Sequence, residues 1–467
     1  MSFLDVLMDI LKAIFGALSG KPGGTGNVDE DDSGGATALR VLLLTFENDT
    51  NGSVTEAIAK SLGKVPGLSI VRSTEITAPV DDNEVLPSSL AAMVRKARIM
   101  AASEEVGGIL GGHITANNTL RLRLIPARLD TEAVSCVLFS GDLVEFPLPL
   151  NGTDEIVAVA ALTAICCDTD GTRRNRSDRL RELPQSIDEL VGSMGGLSPA
   201  GEASIQLFYA GALITSGFRT DQKALLEKAL DLTKDALAKA KEGLTAAQVG
   251  AARARFAVLS TELALRSDDF QKTEEFVSHF RMAAETYPLE LFPDENAFLN
   301  TQMARVLARL GQSTGKIPFM RSAVDAYFEA SRSWNKAWRP DSWAELQNNM
   351  GSVMTQIGEF SGNSEILGRA SRVFESITEV WSRDKKPKQW ANIQNNIGAC
   401  RFAEGKRSND MAILREALER FSLALEVYAA EGMTKNVTVT QKNIARVERV
   451  IGSQEAGASA PKADKLE

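Results

Sequence analysis

A short amide-rich segment occurs twice in this chain and has the side chains best suited to binding another molecule. The two copies, residues 343–351 and 390–398, share the pattern WAxxQNNxG. Asparagine and glutamine side chains each offer N–H donors and a C=O acceptor, so they can hold both polar groups of a peptide bond. We expect these positions to contact a peptide. The candidate residues are Trp343, Gln347, Asn348, Trp390, Gln394 and Asn395.

The same amides have a second interpretation that the sequence leaves open. Asn349, Asn396 and Asn443 recur at one fixed spacing, and buried amides at such positions commonly form hydrogen bonds between neighbouring helices. Asn348 and Asn395 each lie one position earlier. We expect these two to be the better candidates for exposed contacts.

The sequence contains no pattern typical of a catalytic, metal or cofactor site. Its two histidines, His113 and His279, are too few for a cluster of imidazole ligands. The glycine cluster at residues 107–112 lacks the GK[ST] ending of a phosphate loop, so we expect it to serve close packing of a strand. Four cysteines without CxxC spacing favour a reduced, cytoplasmic setting. We therefore expect a non-enzymatic protein without a metal or cofactor.

The duplicated segments belong to a longer sequence period of 47 residues, which extends over residues 198–452. One apolar column consists of Tyr209, Phe256, Met303, Met350, Ile397 and Ile444. Within a period the apolar residues follow steps of three and four, which place them on one helical face. Each period predicts two helices that must stack on neighbouring pairs to bury that face. Gly358 is predicted to end the first helix of its pair.

This periodic region resembles the tetratricopeptide family. Its first-helix signature is matched by Trp343, Leu346 and Met350, and its second-helix signature by Ala370, Phe374 and Ile377. The period is 47 residues, longer than the roughly 34 residues of that family. The resemblance implies a solenoid of helical hairpins whose first helices line a groove for a protein or peptide partner.

Residues 38–167 differ from the periodic region, because short apolar runs typical of strands alternate with helical segments. The predicted strands are residues 39–46, 68–72, 106–114, 120–129 and 135–146. The predicted helices are residues 53–62, 88–102 and 154–167. The last two strands are expected to pair antiparallel, which gives a small α/β domain with a mixed sheet.

That domain resembles the amino-terminal domain of TolB and the related CsgG and FlgO domains. Three stretches carry the resemblance: VLLLTFENDTNG, LGKVPGLSIVRSTEI and EEVGGILGGHITANNTLRLRLIPARLDTEAV. It implies the fold of this domain. Together with the repeats, it gives an α+β part and an all-α part: a small mixed-sheet α/β domain followed by a right-handed α-helical hairpin solenoid with 47-residue repeats.

Residues 1–19 are predicted to form an amphipathic helix, joined to the α/β domain by a flexible linker at residues 20–37. The apolar stretch at residues 3–18 reaches about 24 Å, short of the roughly 30 Å hydrocarbon core. Contact with a membrane surface, self-association, or docking on the protein all stay open for this helix. The candidate membrane-binding residues are Phe3, Leu4, Leu7, Ile10, Leu11, Ile14 and Phe15.

Two further segments complete the predicted organisation. Residues 168–197 form an arginine-rich linker, for which we expect a solvated hinge or a contact with anionic lipid headgroups or an acidic partner. Residues 453–467 are small and polar, and we expect a disordered tail. The net charge of −9 argues against nucleic-acid binding.

We expect a bacterial-type scaffold or adaptor that associates with a membrane and binds a protein partner in the groove of its helical repeats. Its location would be cytoplasmic, peripheral at the inner face of the membrane. One alternative is a self-assembling protein whose first helix and α/β domain drive homo-oligomerisation or membrane shaping. A second alternative is a sensor that binds a small ligand through the α/β domain.

Overall fold

The computed structural model describes most of the two predicted folded regions. The described residues are 39–76, 87–129, 138–150, 154–167, 198–220, 223–267 and 269–459, with scattered residues between 172 and 180. The predicted amphipathic helix at residues 1–19 and the linker at 20–37 lie outside these ranges. The described part falls into two compact units, one ending at Met303 and the other beginning at Ala304.

A small mixed sheet forms the beginning of the first unit, as the sequence predicts. Its five described strands are β1 (Leu39–Thr45), β2 (Leu68–Ile76), β3 (Gly108–Ile114), β4 (Thr119–Pro126) and β5 (Leu143–Pro147). The strand order is β2-β1-β3-β4-β5. Strand β1 is parallel to β2 and β3, whereas the β3–β4 and β4–β5 pairs are antiparallel.

Three helices belong to this sheet region: α1 (Ser53–Gly63), α2 (Pro87–Ser103) and α3 (Asp154–Ala164). The end of α3 packs directly on the glycine cluster of β3. A Cβ at Gly107 would lie 2.5 Å from the carbonyl oxygen of Cys166, and one at Gly108 would lie 2.6 Å from that of Ala164. The expectation that these glycines serve close packing is confirmed.

A long run of packed helices follows the sheet region. Its described members are α4 (Pro199–Thr220), α5 (Lys223–Ala238), α6 (Ala246–Ser267), α7 (Thr273–Thr286), α8 (Pro293–Thr314), α9 (Ile317–Ser333), α10 (Pro340–Ser361), α11 (Ser364–Ile377), α12 (Pro387–Ser408), α13 (Met411–Ala430) and α14 (Thr434–Ser459). From α4 to α14, the even-numbered helices begin at intervals of 47 residues. Because α14 continues to Ser459, the predicted disordered tail is wrong over residues 453–459.

The predicted strand at residues 135–146 is shorter in the structure, because β5 begins only at Leu143. Residues 138–142 instead form a turn, in which the Phe139 N–H donates to the Asp142 carboxylate over 2.7 Å. The Phe139 ring stacks on Tyr287, with 5.6 Å between the ring centroids. A Cβ at Gly141 would lie 2.4 Å from the carbonyl oxygen of Ala247. This turn is therefore packed tightly against the helices of the first unit.

Buried ion pairs also join the sheet region to the helices of the first unit. Asp142 accepts from Arg255 of α6 over 2.8 Å, and the Arg255 side chain has no exposed surface. Arg98 of α2 pairs with Glu295 of α8 over 2.7 Å and with Asp294 over 3.3 Å. Charges buried in this way require partners, because an unpaired buried charge is strongly destabilising.

The arginine-rich linker at residues 168–197 lies mostly outside the described residues. Arg176 is described, and only 1% of it is exposed. Its guanidinium donates to the carbonyl oxygen of Ile165. The expectation of a solvated linker is therefore wrong at Arg176.

Gly358 does not end its helix, contrary to the sequence-based prediction. Helix α10 continues to Ser361 and is capped by Gly362 in the left-handed conformation, with φ 67°. A Cβ at Gly358 would lie 2.7 Å from the Leu367 side chain of α11. One period later, a Cβ at Gly405 of α12 would lie 2.9 Å from the backbone nitrogen of Leu414. Glycine in this column therefore allows the two helices of a pair to approach closely.

The glycine column generates a prediction with an internal control. Gly405→Ala should lower the free energy of unfolding by about 1–3 kcal/mol, because the added methyl group meets the backbone of α13. Gly452 occupies the same column in α14, but a Cβ there would have no neighbour within 4 Å. Gly452→Ala should therefore stabilise the chain by up to about 1 kcal/mol through helix propensity. Urea unfolding of both variants tests this, and equal effects of the two substitutions would refute the packing role.

Candidate functional site

Trp343 and Trp390, which the sequence singles out, lie in the first turns of α10 and α12 as parts of a repeated cluster. The Lys336 ammonium lies over the Trp343 ring at 5.5 Å, and the Arg383 guanidinium lies over the Trp390 ring at 5.5 Å. Both indoles are half-buried. Cation–π contacts of this kind stabilise a fixed arrangement of the cation and the ring.

Each of these cations also forms an ion pair with a carboxylate, and the two ion pairs are one 47-residue period apart. Lys336 pairs with Glu379, and Arg383 pairs with Glu426. The two indoles pack on separate apolar clusters, one that includes Phe374 for Trp343 and one that includes Tyr428 for Trp390. Both tryptophans therefore take part in the packing of the helical repeats.

The two candidate glutamines differ in their surroundings. Gln394 is only 2% exposed, and its side-chain oxygen accepts from Arg420 of α13 over 3.1 Å. Gln347 is half-buried. Of these two side chains, Gln347 is therefore the more accessible to a partner.

The two candidate asparagines bridge successive first helices. The Asn348 side-chain oxygen in α10 accepts from Asn396 Nδ2 in α12 over 2.9 Å. The Asn395 oxygen in α12 is 3.4 Å from the Thr440 hydroxyl of α14, which donates to it. Both asparagines are half-buried. They therefore link neighbouring helices while keeping part of their surface in contact with solvent.

A small pocket lies beside the Asn348–Asn396 bridge, on the side of α10 that faces α12. Its volume is about 10 Å³. That volume accommodates roughly one water-sized group. The pocket is lined by Ser352, Thr355, Gln356, Glu359, Phe374, Asn396 and Ala399.

Gln356 is the most unusual polar side chain of this pocket. Only 1% of the residue is exposed, and neither its Oε1 nor its Nε2 atom has a hydrogen-bond partner among the described residues. A buried amide without partners is unfavourable by about 1–3 kcal/mol for each unsatisfied group. Gln356 therefore offers both a hydrogen-bond donor and an acceptor at the pocket.

The neighbouring hydroxyl groups of the pocket are already engaged within α10. Ser352 donates to the carbonyl oxygen of Asn348 over 2.9 Å, and Thr355 donates to that of Gly351 over 2.8 Å. Such bonds to the preceding turn are common for serine and threonine in helices. The hydrogen-bonding capacity that faces the pocket therefore belongs mainly to Gln356 and Glu359.

Glu359 places a titratable carboxyl group at the same pocket. Its Oε2 atom has no hydrogen-bond partner among the described residues. Burial raises the pKa of this carboxyl to about 7, although the positive charge of Lys406 partly opposes the shift. The carboxyl group is therefore neutral in acid and ionised above neutral pH.

The nearby thiol does not provide a nucleophile for this pocket. Burial raises the pKa of Cys400 to about 12, so the group remains a thiol at neutral pH.

In the part of the chain that the structure describes, no three His, Cys, Asp or Glu side chains are grouped so that they could hold a metal ion. Nor does any described helix combine the length and apolar character needed to cross a bilayer.

No protein-family model and no curated protein matches the chain.

Sequence reasoning identified the bridging amides but missed Gln356 and Glu359. Both residues follow the first WAxxQNNxG segment on the same helix, within the sequence VMTQIGEF. A polar Gln between apolar residues was the available signal. The next period has alanine at the position of Gln356, so the repeat pattern did not single this position out.

The raised pKa of Glu359 predicts a pH-dependent contribution to stability. The pKa rises from 4.5 to about 7, so between these values the folded chain holds a proton that the unfolded chain has released. The contribution of Glu359 is therefore most favourable below about pH 4.5 and declines as the pH rises to about 7. Glu359→Gln should stabilise the chain by about 1–3 kcal/mol at pH 8 and by less at pH 5.

Urea unfolding midpoints at both pH values provide the measurement for Glu359→Gln. The matched control is Glu419→Gln, at an exposed position of α13, for which the difference from the native chain should be small at both pH values. A gain for Glu359→Gln that is equal at pH 5 and pH 8 would contradict the burial of an ionisable carboxyl.

Proposed function

We propose that this chain is a non-enzymatic scaffold that binds a peptide segment of a protein partner on the surface formed by α10 and α12. We call this surface the α10–α12 face and define it by Asn348, Gln356, Glu359, Asn396 and Ala399. The observation that carries the proposal is the buried Gln356 amide, which lines a pocket without a partner of its own among the described residues. Such an amide favours a ligand that offers hydrogen bonds.

The arrangement of the surrounding helices supports a binding role. The even-numbered helices begin at intervals of 47 residues, which agrees with stacked hairpins of the kind that tetratricopeptide repeats form. Repeated helical pairs create extended surfaces on which a partner can contact several units at once. The half-buried Asn348 and Asn395 lie on successive first helices, where such a partner would meet them.

The chemistry of the face supports binding rather than catalysis. Its polar groups are three amides and one carboxyl group, and the nearby Cys400 has a pKa raised to about 12. Amides both donate and accept hydrogen bonds, which suits the recognition of a polar chain. The proposal therefore treats these residues as binding residues only.

Partner binding on the α10–α12 face can be tested with the full-length chain. Ala399 is half-buried at the pocket, so Ala399→Arg should place a bulky cation there and block the face. Ser422→Arg introduces the same side chain at an exposed position of α13 and serves as the matched control. Quantitative mass spectrometry of proteins retained by each immobilised variant should show a partner that is lost with Ala399→Arg and kept with Ser422→Arg.

Circular dichroism and urea unfolding should show that both variants retain the native helical content. A set of retained proteins that is identical for the native chain and both variants would contradict the proposal. In that case the α10–α12 face would not be the surface that the partner uses.

We further propose that residues 1–19 attach the scaffold to a membrane surface. This part of the proposal rests on the amphipathic sequence and on the burial of apolar side chains such as Phe3, Leu7 and Leu11, each favourable by about 1.5–3 kcal/mol when complete. Liposome flotation should carry the full-length chain, whereas a chain that begins at Gly20 should remain unbound with the same oligomeric mass. Loss of oligomers in the shortened chain would instead favour the self-assembly alternative.

A further inference from the structure

We propose that the pocket beside Gln356 binds the hydroxyl group of a serine or threonine in the partner peptide. This inference rests on the proposed function and adds the chemical class of the group that is recognised.

The size of the pocket favours a group with one non-hydrogen atom. The space of about 10 Å³ admits roughly one water-sized group. A hydroxyl group has these dimensions, and its hydrogen bonds resemble those of water. Carboxamide, carboxylate and guanidinium groups each bring several non-hydrogen atoms and would extend beyond this space.

The hydrogen-bonding groups of the pocket require a ligand that both donates and accepts. Gln356 offers a donor at Nε2 and an acceptor at Oε1, and neither has a partner among the described residues. A hydroxyl group provides one donor and two acceptor lone pairs, so it can pair with both atoms. The Glu359 Oε2 atom offers a second acceptor, towards which the hydroxyl hydrogen can also turn.

Charged groups fit this pocket less well. An ammonium group has no acceptor for Gln356 Nε2, and a carboxylate has no donor for Gln356 Oε1. Either ligand would leave one buried amide atom unsatisfied, which is unfavourable. A carboxylate would also lie beside the carboxyl group of Glu359 and be repelled whenever that group is ionised.

Three of the polar residues in the pocket walls already donate hydrogen bonds within the protein. Asn396 donates to Asn348, and the Ser352 and Thr355 hydroxyls donate to their own helix. Phe374, which is 1% exposed, provides an apolar wall that could contact the Cβ of serine or the methyl group of threonine. A short alcohol side chain therefore matches both the polar and the apolar parts of the pocket.

This chemistry predicts that phosphorylation of the peptide hydroxyl prevents binding. A phosphate group is much larger than the pocket and carries a charge of about −1.5 to −2 at neutral pH. It would also approach Glu359 with like charge. The phosphorylated peptide should therefore lose most of its affinity for the α10–α12 face.

Selection from a random peptide library displayed on phage, with the full-length protein as bait, tests the inference. Peptides that bind the native chain but not the Ala399→Arg variant should share a serine or threonine at one position. Replacing that residue by alanine should weaken binding by about 3- to 10-fold, the effect expected for one hydrogen bond. Gln356→Leu should cause a similar loss, and combining the two changes should add little.

Two controls separate recognition from folding. Gln441→Leu makes the same substitution at an exposed position of α14 and should not change peptide affinity. Gln356→Leu itself should leave the urea midpoint unchanged or raise it, because it removes unsatisfied buried groups without changing the side-chain size much. Destabilisation by Gln356→Leu together with unchanged peptide affinity would identify the amide as a structural group and overturn the inference.

The remaining outcomes distinguish the inference from the function on which it rests. If peptides require the α10–α12 face but tolerate alanine at every serine and threonine, or bind equally well when phosphorylated, the hydroxyl site is refuted and the scaffold function stands. If no selected peptide loses binding in the Ala399→Arg variant, both proposals are refuted.

Discussion

The contact between Gly351 and the ring of Phe374 is the packing interaction on which the α10–α12 face depends. A Cβ at Gly351 would lie 2.9 Å from that ring, and the equivalent contact between Gly398 and Phe421 has the same distance. Because Gly351 has no side chain, the aromatic ring from the second helix of the pair can lie against the backbone of the first. Because Phe374 also lines the pocket, the contact that closes the hairpin simultaneously fixes one wall of the candidate site.

Buried charged groups differ between the packing contacts of the sheet region and the candidate site. Asp142 and Arg255 are almost fully buried, but they form a 2.8 Å ion pair, and Arg98 has two carboxylate partners. Such groups join the sheet to its helices because each charge is compensated. Glu359 lacks this compensation at Oε2, and burial raises its pKa to about 7. A buried carboxyl group with a strongly raised pKa, in a pocket beside an amide that has no partner among the described residues, is a reason to examine that place for function.

The sequence predicted those features that repeat along the chain and missed those that depend on distant residues. The apolar period identified the helical pairs, and alternating runs identified the mixed sheet, because both patterns are local. Gly358 was misinterpreted because the sequence does not distinguish a glycine that ends a helix from one that lets two helices pack closely. Here a Cβ at Gly358 would lie 2.7 Å from the Leu367 side chain, which indicates close packing. Asp142 and Arg255 are 113 positions apart, and no spacing rule connects them. Gln356 was missed because its lack of a partner among the described residues depends on which atoms the neighbouring side chains bond, and the sequence does not show those bonds.

The two interpretations of the repeated amides are compatible once their geometry is considered. The Asn348–Asn396 bond joins α10 to α12 over 2.9 Å, and Asn396 also lines the pocket. The bridge therefore limits how far these helices can separate and keeps the pocket close to the size of one small group. A wider separation would admit larger ligands and would expose Gln356 to solvent, which would remove the requirement for a matched partner. For the proposed peptide site, the structural hydrogen bonds between repeats would therefore limit the size of the group that reaches Gln356.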